Sequence, residues 1–381
     1  MLRYFTAGET HGKCLTAIIE GIPSGVKIDI SNINEALKRR QKGYGRGGRM
    51  KIESDSAEIL SGVRNGYTLG SPITIKIENK DWQNWEDIMS PESATNEKSV
   101  TTPRPGHADL VGGMKYNHRD LRNVLERASA RETALRVAVG ALCCELLRDF
   151  SISFNSRCVS IGEIYDEVES PSEDDFARAK NSPVGFCSAV SEEKATEYID
   201  NAKKSGESLG GIIETVVKNV PAGLGSYQQY DRKLDANIAF SAMSIQAIKG
   251  VEIGLGFECA NRPGSSVHDM IYYDNKFMRK TNNAGGIEGG MSNGEPIVVR
   301  AAMKPIPTLY NPLDTVEINT KESKQASVER SDVCAVYAAS VVLESVVAFE
   351  IAKAFLEKFG SDCMEDIKSS YNQYIKRIEN F

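Results

Sequence analysis

Histidine is scarce in this chain of 381 residues, so each of the four can be weighed by its surroundings. His11 lies in AGETHG and His107 in TPRPGHAD, turn-forming stretches where glycine and proline can present an imidazole on a fixed backbone. Imidazole changes charge near neutrality, so two histidines in such loops point to general acid–base chemistry. His118 in NHRD and His268 in SVHD are each followed closely by aspartate and could be ordinary surface or capping residues.

Groups that could hold an anion stand in four further places. In ERASARETALRVAVGALCCELL, Ser129 and Glu132 have the S-x-x-E spacing of a capping box ahead of an apolar run. Arg127 and Arg131 flank that cap, and free N–H groups at a helix start suit phosphate; a plainly capped core helix is the alternative. The stretch KRRQKGYGRGGRMK, Lys38 to Lys51, packs seven cations and four glycines into fourteen residues, among them Arg40, Arg46 and Arg49. NNAGGIEGGMSNGEP holds Gly285, Gly286, Gly289, Gly290 and Gly294, which would let backbone approach a ligand or fold tightly on itself. It matches neither a dinucleotide fingerprint nor a P-loop. Lys304 follows in MKPIPT, and VERSDVCAV sets Arg330 and Asp332 before a long apolar run, where Asp332 could be a helix cap or a catalytic group.

The elements that must position these residues alternate. Short β-rich runs predict strands at Leu15–Glu20, Ile73–Glu78, Gly211–Lys218 and Pro296–Met303. Helical periodicity predicts helices at Ile33–Gln41, Thr133–Phe150, Lys233–Ile248 and from about Ser331 to Lys358. Residues 165–207 are rich in Asp, Glu, Ser, Lys and Pro, and read as a charged surface excursion with one short helix rather than a domain boundary. GKCLTAIIEGIPSG, Gly12 to Gly25, resembles GESLGGIIETVVKNVPAGLG, Gly206 to Gly225, and a helical pattern follows each. Strand-then-turn sequences also converge on such patterns; a single domain over 1–381 with an internal β–α repeat is the preferred reading.

Composition sets the bounds. Hydrophobic content of 41% and charged content of 26% are those of an ordinary globular protein. A net charge of −6 argues against a surface made for nucleic acid, so any polyanion must meet a local basic cluster. Eight cysteines form no C-x-x-C pair, and Cys143–Cys144 lie in an apolar run, as buried thiols of a reducing compartment would. The start, MLRYFTAGETHG, lacks a signal peptide's apolar core, and the run Val333–Leu343 is too short to span a bilayer. The expectation is a soluble, cytoplasmic enzyme with no metal, no nucleic acid and no membrane partner, acting on a multiply anionic small molecule. These features do not determine the reaction.

Taken together and in order, GETHG, RRQKGYGR, RPGHAD, RASARETA, SIQAIKG, AGGIEGGMSNG, KPIPT and RSD resemble the chorismate synthase family, from residue 8 to about 334. The resemblance implies an α+β fold, a pseudo-symmetric β-α-β sandwich with helices packed between antiparallel sheets, usually assembled as a homotetramer. It implies a carbon–oxygen lyase of aromatic amino acid biosynthesis. The reaction would be the last common step of the shikimate pathway, a 1,4-anti elimination of phosphate from 5-enolpyruvylshikimate 3-phosphate to give chorismate. The family needs reduced FMN although no net redox change occurs, which suits an unactivated C–O bond and a weakly acidic C–H.

Carried over position by position, the resemblance makes His11 the acid for the departing phosphate. His107 would protonate or hydrogen-bond the anionic flavin, and Asp332 would help relay the C6 proton. Ser129 matches an active-site serine, and Arg127, Ala128 and Ser129 would contact FMN together with Gln246, Ala247, Gly289, Lys304, Pro305, Ile306, Pro307, Thr308 and Arg330. Arg40 and Arg46 match positions the family associates with NADP or substrate. Arg49 falls in the loop that holds the substrate's carboxylates and phosphate, and Arg131 in the cap is assigned to substrate as well. Whether NADPH reduces the flavin on this chain or an external reductant does so is left open. Thr10 stands where the family has serine, RSDVC replaces RHDPC, and Pro307 stands in a stretch that often carries serine.

Two rivals remain in view. An RNA-binding protein using the Arg-Gly loop would need further basic or stacking features, and the chain is acidic with 7% aromatics. An ordinary flavin oxidoreductase would turn over NADPH without that substrate. On the preferred reading the basic loop is a lid whose arginines close over the anionic substrate.

Overall fold

The computed structural model describes residues 1–47, 54–92, 95–329 and 331–381. Two antiparallel sheets face each other across a layer of helices. In the first sheet the strands run in the order Arg3–Ala7, Cys14–Glu20, Ile73–Glu78, Ala57–Ser61. In the second the order is Ile248–Ile253, Ile297–Met303, Gly211–Lys218, Ser153–Ile161, Ile164–Tyr165. Alternation explains the one-sided burial of the first sheet. Leu15, Ala17 and Ile19 point inward from one strand and Ile73, Ile75 and Ile77 from its partner, all buried.

Helices Ile30–Gln41 and Thr133–Arg148 pack beside the first sheet, and Leu234–Met243 and Val336–Phe359 beside the second. The two long helices, Thr133–Arg148 and Val336–Phe359, meet in the middle and are apolar nearly all round, as a helix enclosed on every side must be. Gly140 sets their closest approach: a Cβ there would sit 2.4 Å from the Ser345 carbonyl oxygen. One hydrophobic cluster runs from Leu15 and Ile75 through Leu142 and Val347 to Ile213 and Val299, so both sheets share a core. This is the helix-filled α+β sandwich that the motifs imply.

The two similar segments occupy similar surroundings. The strands Cys14–Glu20 and Gly211–Lys218 each lie between two antiparallel neighbours, and each leads through a Pro-x-Gly turn toward a helix. Both turns are locked by one hydroxyl. Thr68 Oγ1 donates to the Pro23 carbonyl at 2.6 Å and accepts from Val26 N at 2.9 Å. Ser292 Oγ donates to the Pro221 carbonyl at 2.6 Å and accepts from Leu224 N at 2.8 Å. The two locks span the same proline-to-third-residue interval.

Several boundaries differ from the sequence expectation. The 233–248 helix stops at Met243, and Ala247 turns left-handed at φ 68° before Ile248 opens a strand. The last long helix begins at Val336 rather than 331, and a further amphipathic helix, Met364–Glu379, follows a break at Gly360. Residues 165–207 hold two helices, Glu173–Asn181 and Ala189–Ser205, not one short one. Their polar faces produce the composition read as an excursion, yet Phe186, Ala195 and Ile199 enter the main core. Among the described residues no helix is long and apolar enough to cross a membrane, and no group of His, Cys, Asp and Glu could hold a metal.

Candidate functional site

His11 sits in the loop between the first two strands, and its place is set from the Arg122–Ala128 helix. Thr10 N and Oγ1 both donate to the Glu126 carbonyl, at 3.0 and 2.8 Å. The threonine at this position therefore spends its hydroxyl on the loop's anchor. Glu126 grips the histidine twice: its Oε2 accepts from His11 N at 2.9 Å and its Oε1 from Nδ1 at 2.8 Å. Trp85 stacks on the imidazole with ring centroids 3.7 Å apart and planes 14° from parallel. Burial works to raise the Glu126 carboxyl, but the hydrogen bonds from His11 and Arg122 outweigh it and hold it below the usual carboxylate range. Nδ1 is thus committed to the protein.

Arg127, at the end of the same helix, donates to the carbonyls of Thr6 and Gly8 and to Thr6 Oγ1, tying down the loop from its other side. Ala128 closes the helix and Ser129 follows in extended conformation. The expected capping box does not form. Ser129 Oγ accepts from Arg131 N, capping a 3-10 turn over Ala130–Glu132, and the long helix starts only at Thr133. Glu132 faces away from the cap, accepting from Gln246 Nε2 at 2.9 Å and pairing with Arg136. The reason is competition: both partners offer Glu132 a charge-assisted or amide donor in a buried setting, worth more than a strained reach back to Ser129.

His107 has a second carboxylate. Its Nδ1 lies 2.5 Å from Asp109 Oδ1, and Asp109 is fully buried at the start of the Asp109–Tyr116 helix. Arg104 brackets the same carboxylate through Nε at 2.9 Å and Nη2 at 3.1 Å. Burial alone would raise the Asp109 carboxyl; hydrogen bonds from His107 and Arg104 override it and keep it well below the usual range. Arg104 Nη1 continues to Thr308 Oγ1 at 3.0 Å, and Lys304 Nζ donates to the Gly106 carbonyl at 2.6 Å. The KPIPT strand end therefore lies against the His107 loop, with Pro307 beside Gly106. Pro305 packs near Gly210, and the Ile306 carbonyl accepts from Ser208 Oγ. Lys304 N donates to the Ala247 carbonyl, which brings SIQAIKG to the same place.

Asp332 receives the basic loop. Arg46 Nε stands 2.9 Å from its Oδ2, and Gly47 N donates to its Oδ1 at 2.6 Å. It is no helix cap, since the helix starts four residues later. Arg40 and Arg131 are placed differently from the expectation of ligand-facing cations. Arg40 is buried, with Nε on Thr133 Oγ1, Nη1 on Asp55 Oδ2 and Nη2 on the Ala130 carbonyl. Burial brings its guanidinium down to about 10, so it is still charged at neutral pH. Arg131 is buried on Asp55 Oδ1 and Asn79 Oδ1. A buried carboxylate between two arginines makes a brace: Asn79 in turn donates to the Glu9 and Gly12 carbonyls, so the brace reaches the His11 loop. From Arg40 it continues through the Arg40 carbonyl to Arg46 and Asp332.

The fold thus joins His11, Arg127, Arg131, Arg40, Arg46 and Asp332 in one connected network, and His107, Lys304, Pro307, Thr308 and Ala247 in a second. Gln246 joins them through Glu132, at the end of the 3-10 turn that leads into the long helix. Gly289 stands apart in the Ile287–Ser292 hairpin, where a Cβ would meet nothing within 4 Å. Arg49 and Arg330 lie outside the described residues. Sequence reasoning missed Glu126, Trp85, Arg104, Asp109, Asp55 and Asn79. Of these Arg104 and Asp109 carried a signal, three places before and two after His107 in one motif; the others become partners only through the fold.

The chorismate synthase family model matches residues 2–356. A protein of Geobacter metallireducens named chorismate synthase is 56% identical, with all of both chains covered. One of a Sulfurihydrogenibium species with the same name is 59% identical, again over all of both. A crystal structure of chorismate synthase superposes with a TM-score of 0.81 at 45% identity, covering 100% of this chain and 99% of that one. A family model over residues 2–356 and relatives this similar from end to end show that the chain is a carbon–oxygen lyase and belongs to the chorismate synthase family.

Proposed function

We propose that this chain catalyses the 1,4-anti elimination of phosphate from 5-enolpyruvylshikimate 3-phosphate to give chorismate, with reduced FMN bound. The observation that carries the reading is the pair of histidines, each held at Nδ1 by a buried carboxylate. One-sided imidazoles of this kind are proton donors with a fixed direction. Two of them serve a reaction that must neutralise a leaving phosphate and an anionic cofactor.

The described residues fit a flavin. Gln246 Oε1 and Glu132 Oε2 are buried acceptors with no hydrogen-bond partner among the described residues, and buried acceptors call for a donor. A flavin offers ring N–H and ribityl hydroxyl groups to such atoms. Gln246, Ala247, Arg127 to Ser129, Gly289, Lys304 to Thr308 and Arg330 would hold it. When bound, reduced FMN supplies the electron density that an unactivated C–O bond needs in order to break. His11 then gives its Nε2 proton to the departing phosphate. His107 offers a proton or hydrogen bond to the anionic ring system. Asp332, paired with Arg46, takes part in removing the C6 proton. Arg46, with Arg49, supplies positive charge to the substrate's anionic groups, while Arg40 and Arg131 act from beneath as the brace on Asp55. Any NADP bound at this loop would meet Arg46 rather than the buried Arg40.

The working form is a homotetramer in the cytoplasm; eight free thiols, four of them buried, suit a reducing compartment. The test is anaerobic incubation of the protein with dithionite-reduced FMN and the substrate, following phosphate and chorismate. Equal release of both is expected, and no product under those conditions would overturn the reading. NADPH consumption with oxidised FMN in the absence of substrate would instead favour a flavin oxidoreductase.

A further inference from the structure

The carboxylate of Glu126 is 1% exposed and makes four contacts with His11 and Arg122, one of them His11 Nδ1 to Oε2 at 3.1 Å, none of which a simple packing role requires. Its Oε2 takes the His11 backbone N–H, and its Oε1 takes both the His11 Nδ1 proton and Arg122 Nη1 at 3.1 Å. Arg122 also reaches Glu329 at 3.3 Å and lies with its guanidinium carbon 5.1 Å from the Trp85 ring centre. The imidazole is therefore gripped at one edge by the carboxylate and on one face by the indole. A flipped ring would set Cδ2, which has no polar hydrogen, against the acceptor.

We propose that Glu126 is the positioning residue for His11, keeping the proton on Nδ1 so that Nε2 alone gains and gives up a proton during elimination. The proposal rests on the reading of His11 as the acid for the leaving phosphate. As the C–O bond breaks, its electron pair leaves with the phosphate and the Nε2 proton passes to the phosphate oxygen. The imidazole returns to its neutral, Nδ1-protonated form, and Glu126 stays ionised throughout. A carboxylate accepts only, so it favours the doubly protonated ring that must precede this transfer. A glutamine of the same shape can still accept from His11 N, but its NH2 group then faces Nδ1. That arrangement favours the neutral ring with its proton on Nε2, a poor acid.

The charged groups packed around the pair are Arg122 on the same helix, Glu329 against Arg122, Lys98 with Nζ 3.7 Å from the Trp85 ring centre, and Glu9 beside Gly12. Carboxylates, lysines and arginines ordinarily change charge well away from neutrality, so a moved pH limb near neutrality would report the histidine.

The experiment compares wild type, Glu126→Gln and Glu126→Asp as full chains with reduced FMN, recording kcat, KM and the pH profile of kcat, with thermal unfolding alongside. Glu126→Gln is expected to lower kcat about 10²-fold at pH 7 with KM changed less than threefold. The falling limb of its profile should move to lower pH. Glu126→Asp, which keeps the charge, should recover part of the rate and return the limb toward wild type. Glu126→Gln with wild-type kcat and an unmoved limb would overturn the proposal. So would a loss of rate shared equally by Glu126→Asp with the limb unmoved in both. Failure of wild type to form chorismate would sink the underlying reading instead, which separates the two.

Discussion

Arg46 Nε and Asp332 Oδ2 stand 2.9 Å apart, joining the start of the basic loop to the turn before the last long helix. The Gly47 N–H reaches the same carboxylate across 285 residues of sequence. Asp332 is thus held by a cation and an amide that belong to the segment proposed to meet the substrate. Asp332→Asn keeps the size and the Gly47 contact while removing the charge. Turnover should fall by about 10²-fold or more, the usual scale for a lost acid–base group, with FMN affinity nearly unchanged. Stopped-flow kinetics alongside flavin titration check both parts.

His107 gives a second test. His107→Ala should cost about 10²-fold in kcat and leave the fold intact, because only the imidazole's own bond to Asp109 is lost and Arg104 still holds that carboxylate. Circular dichroism and single-turnover chorismate formation measure the two halves. An unchanged rate would remove His107 from the chemistry.

Glu344 makes a prediction about stability. It accepts from Arg39 at 2.8 and 3.0 Å and from Ser156 at 2.6 Å inside the protein. Burial works to raise its carboxyl, but Arg39 and Ser156 outweigh that and hold it below the ordinary value. A lowered folded pKa means the contribution is fully present above the unfolded value, near ~4.3, and is lost as pH falls through the folded one. Asp109 and Glu126 act with the same sign. The midpoint of unfolding should therefore drop steeply as the solution is acidified below about pH 4. Glu344→Gln leaves Arg39 without its counter-charge and should cost roughly 3–5 kcal/mol at pH 7. The cost should shrink in acid, as urea titrations at both pH values would reveal.

Gly45 tests the stem of the basic loop. It lies at φ +82°, and a Cβ there would come 2.8 Å from Ile199 Cγ2 and 3.2 Å from Cys334 Cβ. Gly45→Ala should lower stability by roughly 1–2 kcal/mol from the left-handed backbone alone, with crowding added. Thermal unfolding beside wild type is the measurement, and an unchanged midpoint would show that the stem yields.

Much of this fold is legible in the amino-acid sequence, and the reasons differ by element. Ile73–Glu78 and Gly211–Lys218 are bounded in the structure where alternation and β-branched runs end in the sequence. The stop at Met243 is not readable there, because Ser244 to Ala247 has a helical pattern and the turn comes from Ala247 at positive φ. Composition hides the amphipathic helices at 173–205: one buried stripe with Phe176 and Ile199 suffices to dock a helix whose other faces are charged. At the site, motifs mark His11, His107 and Asp332; His107 finds Arg104 and Asp109 within its own motif, but the partners of His11 and Asp332 come from distant segments. Nothing local in ERASARE says that Glu126 faces His11 while Glu132 turns to Gln246. The glycines of GYGRGGR read as joints of a moving loop. In the structure Gly45 is instead a point of close packing, with Tyr44 held to Asp200 and to the Pro183 carbonyl.

The matched hydroxyl locks of Thr68 and Ser292 carry one more consequence. Each half of the molecule secures its own strand-to-helix turn, so neither depends on the other for that geometry. The segments just before the two matched strands are then free to take up different trades. In the first half that segment carries His11. In the second, Gly210 and Gly211 press so closely on the Met303 and Ser160 carbonyls that no side chain fits there. One of the two segments thus leaves room for a side chain, while the other is a seam closed by backbone.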